Sequence, residues 1–146
     1  MTPSRITDLA ELVERARSLE AHRERALLGI TGAPGAGKST LAAAVVAAVG
    51  DRARLIGMDG FHLSQAELRR IGRRERMGAI DTFDAAGFVG LVRRLRARPG
   101  EVIRAPAFDR TAEASTPDAL RIEPDVRLVV IEGNYLLAAA APWAEL

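Results

Sequence analysis

"GAPGAGKST", Gly32–Thr40, reads glycine, four residues, glycine, lysine and a hydroxyl residue, and it decides the fold. In a loop between a strand and a helix, this spacing has a phosphate-binding purpose. Gly32, Gly35 and Gly37 let the backbone turn its amides inward, with Ala33, Ala36 and Thr40 completing the cradle. The helix that follows puts its positive end beneath the phosphates. Lys38 would straddle the outer phosphates of ATP, and Ser39 would coordinate Mg2+. Lys38 is the only lysine; the other basic residues are arginines, whose planar fork cannot enter so small a loop. A turn that merely caps a helix, or a dinucleotide loop, explains the glycines but leaves Lys38 and Ser39 without a role.

The flanks supply the required context. "ALLGI" before the loop reads as a buried strand, and the alanine-rich run from Lys38 to Val49 as a helix. Further upstream, Leu9, Leu12, Val13, Ala16 and Leu19 recur at helical spacing and predict an amphipathic helix over 7–21. Downstream, "ARLIGM" predicts a strand, Leu63 to Arg74 a helix, and Ala85 to Ala97 another, with Phe88, Leu91, Val92 and Leu95 on one face. Pro99-Gly100 should end it. "EVIRA" is expected to be a strand, Thr111 to Ala119 a polar connection, and "VRLVVIEG" the clearest continuous strand. Strands alternating with helices predict an α/β fold, a mostly parallel sheet with helices on both faces. A single domain over 1–146 with its core at 26–137 is expected. Such a sheet gathers its strand ends along one edge, so Gly32, Asp59 and Glu132 can share a crevice.

Bulk properties exclude several classes of function. Apolar residues make up 48% of the 146 residues and no cysteine is present, which removes disulfides, thiol nucleophiles and cysteine metal sites. Two distant histidines make a transition-metal cluster a poor expectation. The net charge is only +2, and acids are interspersed among the arginines of Arg69 to Arg76 and Arg93 to Arg98, so solvated helix faces are expected rather than a nucleic-acid surface. The chain starts without the apolar core of a secretory signal and has no run near 20 apolar residues, so no membrane partner and a cytoplasmic location are expected.

A phosphate loop with magnesium needs a carboxylate beside the metal and a group to activate the acceptor. Glu132, after "VRLVVI", is a candidate for the metal-side carboxylate, or a loop carboxylate with local amide bonds. Asp59, in "GMDGFHL", is a candidate base or hydroxyl-orienting residue, a magnesium ligand, or the anchor of a turn. His62 could donate to substrate, orient Asp59 or be structural. In "APAFDRT", Asp109 and Arg110 could meet acceptor and phosphate, or form a salt-bridged loop. "RMGAIDTFD" adds Arg76 as a phosphate candidate and Asp84 as the N-cap of the next helix.

Together "GAPGAGKST", "MDGFHL", "TFDAAGFVGLVRRLR", "APAFDR" and "VVIEGNYLL" resemble the uridine kinase, pantothenate kinase and phosphoribulokinase group of P-loop kinases, and its bacterial nucleoside/nucleotide kinase-like branch most of all. The likeness runs from Leu27 to Leu137. It implies ATP- and Mg2+-dependent phosphotransfer to a hydroxyl of a small metabolite such as a nucleoside, sugar or pantothenate-like compound. It makes Lys38 and Ser39 the phosphate and magnesium residues, Asp59 the base, and Glu132 a neighbour of magnesium. It puts His62, Arg76, Phe108, Asp109 and Arg110 near the acceptor, with Asn134 and Tyr135 shaping its pocket. Met77 and Ile80 depart from the group's usual "RKGAPDTFD" form. Group members also continue past "EGNYLL" into an arginine-bearing lid and further sheet, so the C-terminal part is expected to be incomplete here. The alternatives are a nucleotide-binding module without turnover and, more remotely, a nucleic-acid-associated NTPase. A homo-oligomer, formed through an exposed sheet edge or lending an arginine to the site, is a further expectation.

Overall fold

A computed structural model gives the fold and describes residues 5–22, 25–97 and 100–146. Three parallel strands form the central sheet: β1 (Ala26–Thr31), β2 (Ala53–Gly57) and β5 (Leu128–Gly133), in the order β1-β5-β2. Leu128 is in register with Ala26 on one side and Ala53 on the other. β5 is buried at all six positions, as an unbroken "LVVIEG" run needs when both faces are covered.

Alternation along β5 assigns the two faces. Leu128 and Val130 meet Ala16 of helix α1 (Leu9–His22) and Ala42 and Val45 of helix α2 (Lys38–Val49). Val129 and Ile131 meet Phe88, Leu91 and Leu95 of helix α4 (Ala85–Ala97). The expected apolar face of α4, including Val92, is buried, while Arg93, Arg94 and Arg96 are exposed. Arg98 and Pro99, expected near its end, lie outside the described residues.

Local chemistry sets the helix ends. Asp8 Oδ1 accepts from Glu11 N at 2.8 Å to start α1, and Asp84 Oδ1 accepts from Gly87 N at 3.0 Å to start α4, the capping role expected of Asp84. The helix expected over 63–74 is shorter. Helix α3 covers Gln65–Arg70, with Ser64 Oγ accepting from Glu67 N at 3.1 Å. It stops because Gly72 takes a left-handed φ of 72°, a helix terminator.

The larger correction concerns "EVIRA" and the expected polar connection. β3 (Ile103–Asp109) lies outside the parallel sheet and pairs antiparallel with β4 (Ala114–Ile122), which takes up most of the stretch expected to be irregular. β4 escapes a pattern search because most of it is exposed, Pro117 and Asp118 interrupt it, and its register shifts opposite Ala105–Ala107. Its far end is anchored by Ile122, buried with Ile103 and Val126 against α4. The hairpin crosses the end of β2 at Gly60, where a Cβ would sit 2.5 Å from the Pro106 carbonyl oxygen. Only glycine permits that approach.

Candidate active site

The loop after β1 turns through Gly35 and Gly37, at φ 75° and 89°, so its middle and its exit need residues without a Cβ. α2 begins at Lys38 immediately afterwards, and its first amides face the loop without an N-cap side chain competing for them. Lys38 Nζ crosses the loop to donate to Ala33 O at 2.9 Å. The lysine therefore spans the cradle that "GAPGAGKST" predicts.

Ser39 meets the neighbouring strand. Glu132 shares the face of Leu128 and Val130, the α2 side, which puts its carboxylate at the strand's end beside Lys38 and Ser39 at the start of α2. Gly57 lies beside it in register, and a Cβ there would come within 3.2 Å of Glu132 Oε1. Glu132 is buried. Burial first and the Asp59 charge second hold its carboxyl above the usual range, opposed by Lys38, the Ser39 hydrogen bond and Arg110. Three segments distant in sequence thus act on one carboxylate.

Asp59 lies in a short 3-10 turn, Met58–Phe61, that follows β2. Gly57 occupies the cap position and no side chain bonds there, so Asp59 is not spent on anchoring the turn. It lines a cleft of about 380 Å3 together with Phe108, Arg110 and Glu132. Asp109 instead closes the hairpin tip, its Oδ1 accepting from Thr111 N at 2.8 Å and Ala112 N at 3.1 Å. That turn presents Arg110 to the cleft. His62 Nδ1 lies 2.8 Å from Asp59 O, so this nitrogen carries the proton and donates. Its ring is held between Phe83 and Phe108, with centroids 4.2 and 4.8 Å away. His62 fixes the backbone of Asp59 and the ring of Phe108 from behind.

Two expected substrate residues have side chains engaged elsewhere. Arg76 pairs with Asp81 at 2.8 Å and the Tyr135 hydroxyl donates to Gly78 O at 2.9 Å, while the backbone carbonyl of Asn134 accepts from Thr31 Oγ1 at 3.5 Å. Arg76 and Tyr135 organise the 72–84 segment instead of lining the cleft. Sequence reasoning missed a clasp on the hairpin: Gln65 Nε2 donates to Glu113 O at 3.1 Å, Arg74 pairs with Glu113 at 3.4 Å, and Ser115 Oγ donates to Gly60 O at 2.7 Å. It also missed Leu55 and Leu120 in the cleft wall. No signal could have found Leu120, because β4 carries no alternating apolar pattern to mark it as a strand.

The donor set suits a hard cation. Among the described residues no three His, Cys, Asp or Glu side chains cluster as a metal site, but a serine hydroxyl beside a buried carboxylate matches the few protein oxygens magnesium takes when phosphates supply the rest. The φ-positive glycines and uncapped helix start equally fit a polyphosphate.

Known proteins share the fold. A solved structure from Silicibacter sp. TM1040, provisionally named a fructose transport system kinase, superposes with a TM-score of 0.85 at 38% identity over 97% of this chain and 70% of that one. The chain belongs to the P-loop kinases. A Schizosaccharomyces pombe relative, provisionally named a uridine kinase, is 38% identical over 149 residues, and a Clavibacter michiganensis subsp. michiganensis pantothenate kinase is 34% identical over 144. The chain spans 63% and 43% of these two relatives. No family model matches it. A Saccharomyces cerevisiae protein provisionally named a P-loop containing kinase with a circular permutation, only 18% identical, shares the fold at a TM-score of 0.84. Among the described residues of this P-loop kinase chain, no helix is long and apolar enough to cross a membrane.

Proposed function

We propose that the protein transfers the terminal phosphoryl group of ATP to a hydroxyl of a small metabolite. The observation that carries this is the convergence on Glu132 of Lys38, Ser39 and Asp59, which follow two strands of the parallel sheet, and of Arg110 from the hairpin tip. The loop amides and Lys38 hold the polyphosphate. Ser39 and Glu132 hold magnesium, which when bound neutralises charge on the transferring group. Asp59 orients the acceptor hydroxyl and takes its proton as the new oxygen–phosphorus bond forms and the bridging bond to ADP breaks, with the electron pair leaving on ADP. Arg110 faces the charge that spreads over the phosphoryl oxygens. His62 and Phe108 shape the acceptor side, and Asn134 borders the nucleotide loop through Thr31.

Acceptor-dependent ADP formation, with the phosphorylated product followed by phosphorus NMR, tests the proposal. A metabolite screen should return at least one acceptor whose phosphorylation needs both magnesium and Lys38. Nucleotide binding without transfer to any acceptor would leave a binding module in its place.

A further inference from the structure

Resting on that reaction, we propose that Gln65, Arg74 and Glu113 are positioning residues that hold the Arg110 guanidinium at the transferring phosphoryl group. β3 and β4 pair as far as Asp109 and Ala114, so the loop 110–113 closes the hairpin. Arg110 opens this loop and lines the cleft; Glu113 ends it and faces α3. Among the described residues Arg110 has no hydrogen bond or ion pair, and its charge acts on Glu132 without contact. Such a guanidinium is available to an anion, but nothing on its own side chain fixes where it stands.

The fixing comes from the other end of the loop. Gln65 Nε2 donates to the Glu113 carbonyl oxygen at 3.1 Å, Arg74 Nε donates to Gln65 Oε1 at 3.0 Å, and Arg74 Nη2 reaches Glu113 Oε2 at 3.4 Å. The three contacts form a closed ring that starts and ends on Glu113. Arg74 occupies the amide oxygen of Gln65, which turns the amide nitrogen to the loop. Glu113 also holds a left-handed φ of 49°, a conformation that a residue with a side chain keeps only where its surroundings impose it. Glycine would take that φ more easily but would bring no carboxylate to Arg74. On the inner side, Ser115 Oγ donates to Gly60 O at 2.7 Å and Phe108 stacks on His62, which ties the same hairpin to the turn of Asp59. Stability does not account for the ring: Glu113 is exposed and Arg74 only partly buried, and such pairs contribute little to folding. Misplacing a group by about 1 Å in a transfer site, in contrast, costs up to about 100-fold in rate. Placement is the larger effect.

Calorimetry with magnesium and ADP, with and without aluminium fluoride as a mimic of the transferring group, tests this without an identified acceptor. The wild type should bind ADP with aluminium fluoride about tenfold or more tighter than ADP alone, and Arg110→Leu should remove most of that gain. Arg74→Leu and Gln65→Ala should each reduce the gain by about threefold or more, with ADP affinity within about twofold of wild type and a melting temperature within about 2 °C. In the Arg110→Leu background neither substitution should reduce it further. A gain that survives both substitutions, losses that add to that of Arg110→Leu, or an equal fall in ADP affinity overturns the proposal and leaves the reaction standing. No gain in the wild type would count against the phosphoryl-transfer reading itself and remove the proposal with it.

Discussion

Glu132 concentrates the electrostatics of the site in one side chain. Its carboxyl is pushed up by burial and then by Asp59, so in the metal-free fold it binds a proton more readily than in the unfolded chain. Its contribution to stability is complete below the unfolded value, about 4.3, and is lost as pH rises through the raised folded value. At neutral pH the bare carboxylate therefore costs stability. Glu132→Gln should raise the melting temperature of the metal-free protein at pH 7 by about 2–4 °C, and the gain should shrink as pH falls toward 4. The same substitution should abolish the extra stabilisation that magnesium adds to bound ATP. Thermal melts across pH check both, and a lower melting temperature at pH 7 would refute the assignment. Asp59 acts differently, since its carboxylate faces the cleft and no cap bond uses it. Asp59→Asn should cut kcat by about 100-fold or more with ATP affinity unchanged within threefold, read by steady-state kinetics beside calorimetry. "GMDGFHL" alone leaves base, ligand and anchor open; the backbone around Gly57 removes the anchor.

At the scale of elements, legibility follows the source of each element's order. β1, the loop, α2 and β5 are readable because local chemistry and an unbroken apolar run specify them. The β3-β4 hairpin is not, because its order comes from distant partners: Gly60 beneath Pro106, Ser115 on the Gly60 carbonyl, and Glu113 held by Gln65 and Arg74. Half of the cleft is hidden with it. Gly60→Ala puts a methyl group against the Pro106 carbonyl and should destabilise the fold by about 1–3 kcal/mol. The displaced hairpin should lower acceptor turnover more than ATP affinity, since Phe108 and Arg110 ride on it. Denaturant unfolding with kinetics on the same variant decides this; wild-type stability would show that the close approach is not needed.

Across the whole molecule, strand order makes the chemistry possible. β5, the last strand in sequence, inserts between β1 and β2, so Glu132 stands between the strand feeding the Lys38 loop and the strand feeding Asp59. Periodicity predicts a parallel sheet covered on both sides but carries no information on this order, because β1 and β2 present similar apolar patterns to a neighbour. The α4 side of the sheet rests on Phe88, fully buried and in edge contact with Phe61 at 5.2 Å, with Trp143 at 5.6 Å. Phe88→Ala should cost about 3–5 kcal/mol in denaturant unfolding, and a loss below about 1 kcal/mol would contradict this packing. The central claim is that the loop, Glu132 and Asp59 enclose a single phosphoryl-transfer chamber. A crystal structure with magnesium and a nonhydrolysable ATP analogue tests it most directly: the terminal phosphate should lie within hydrogen-bonding reach of Lys38 Nζ, the metal on Ser39, and Asp59 across the cleft facing that phosphate. Nucleotide bound away from Gly32–Thr40, or a terminal phosphate shut off from the Asp59 cleft, would contradict the account.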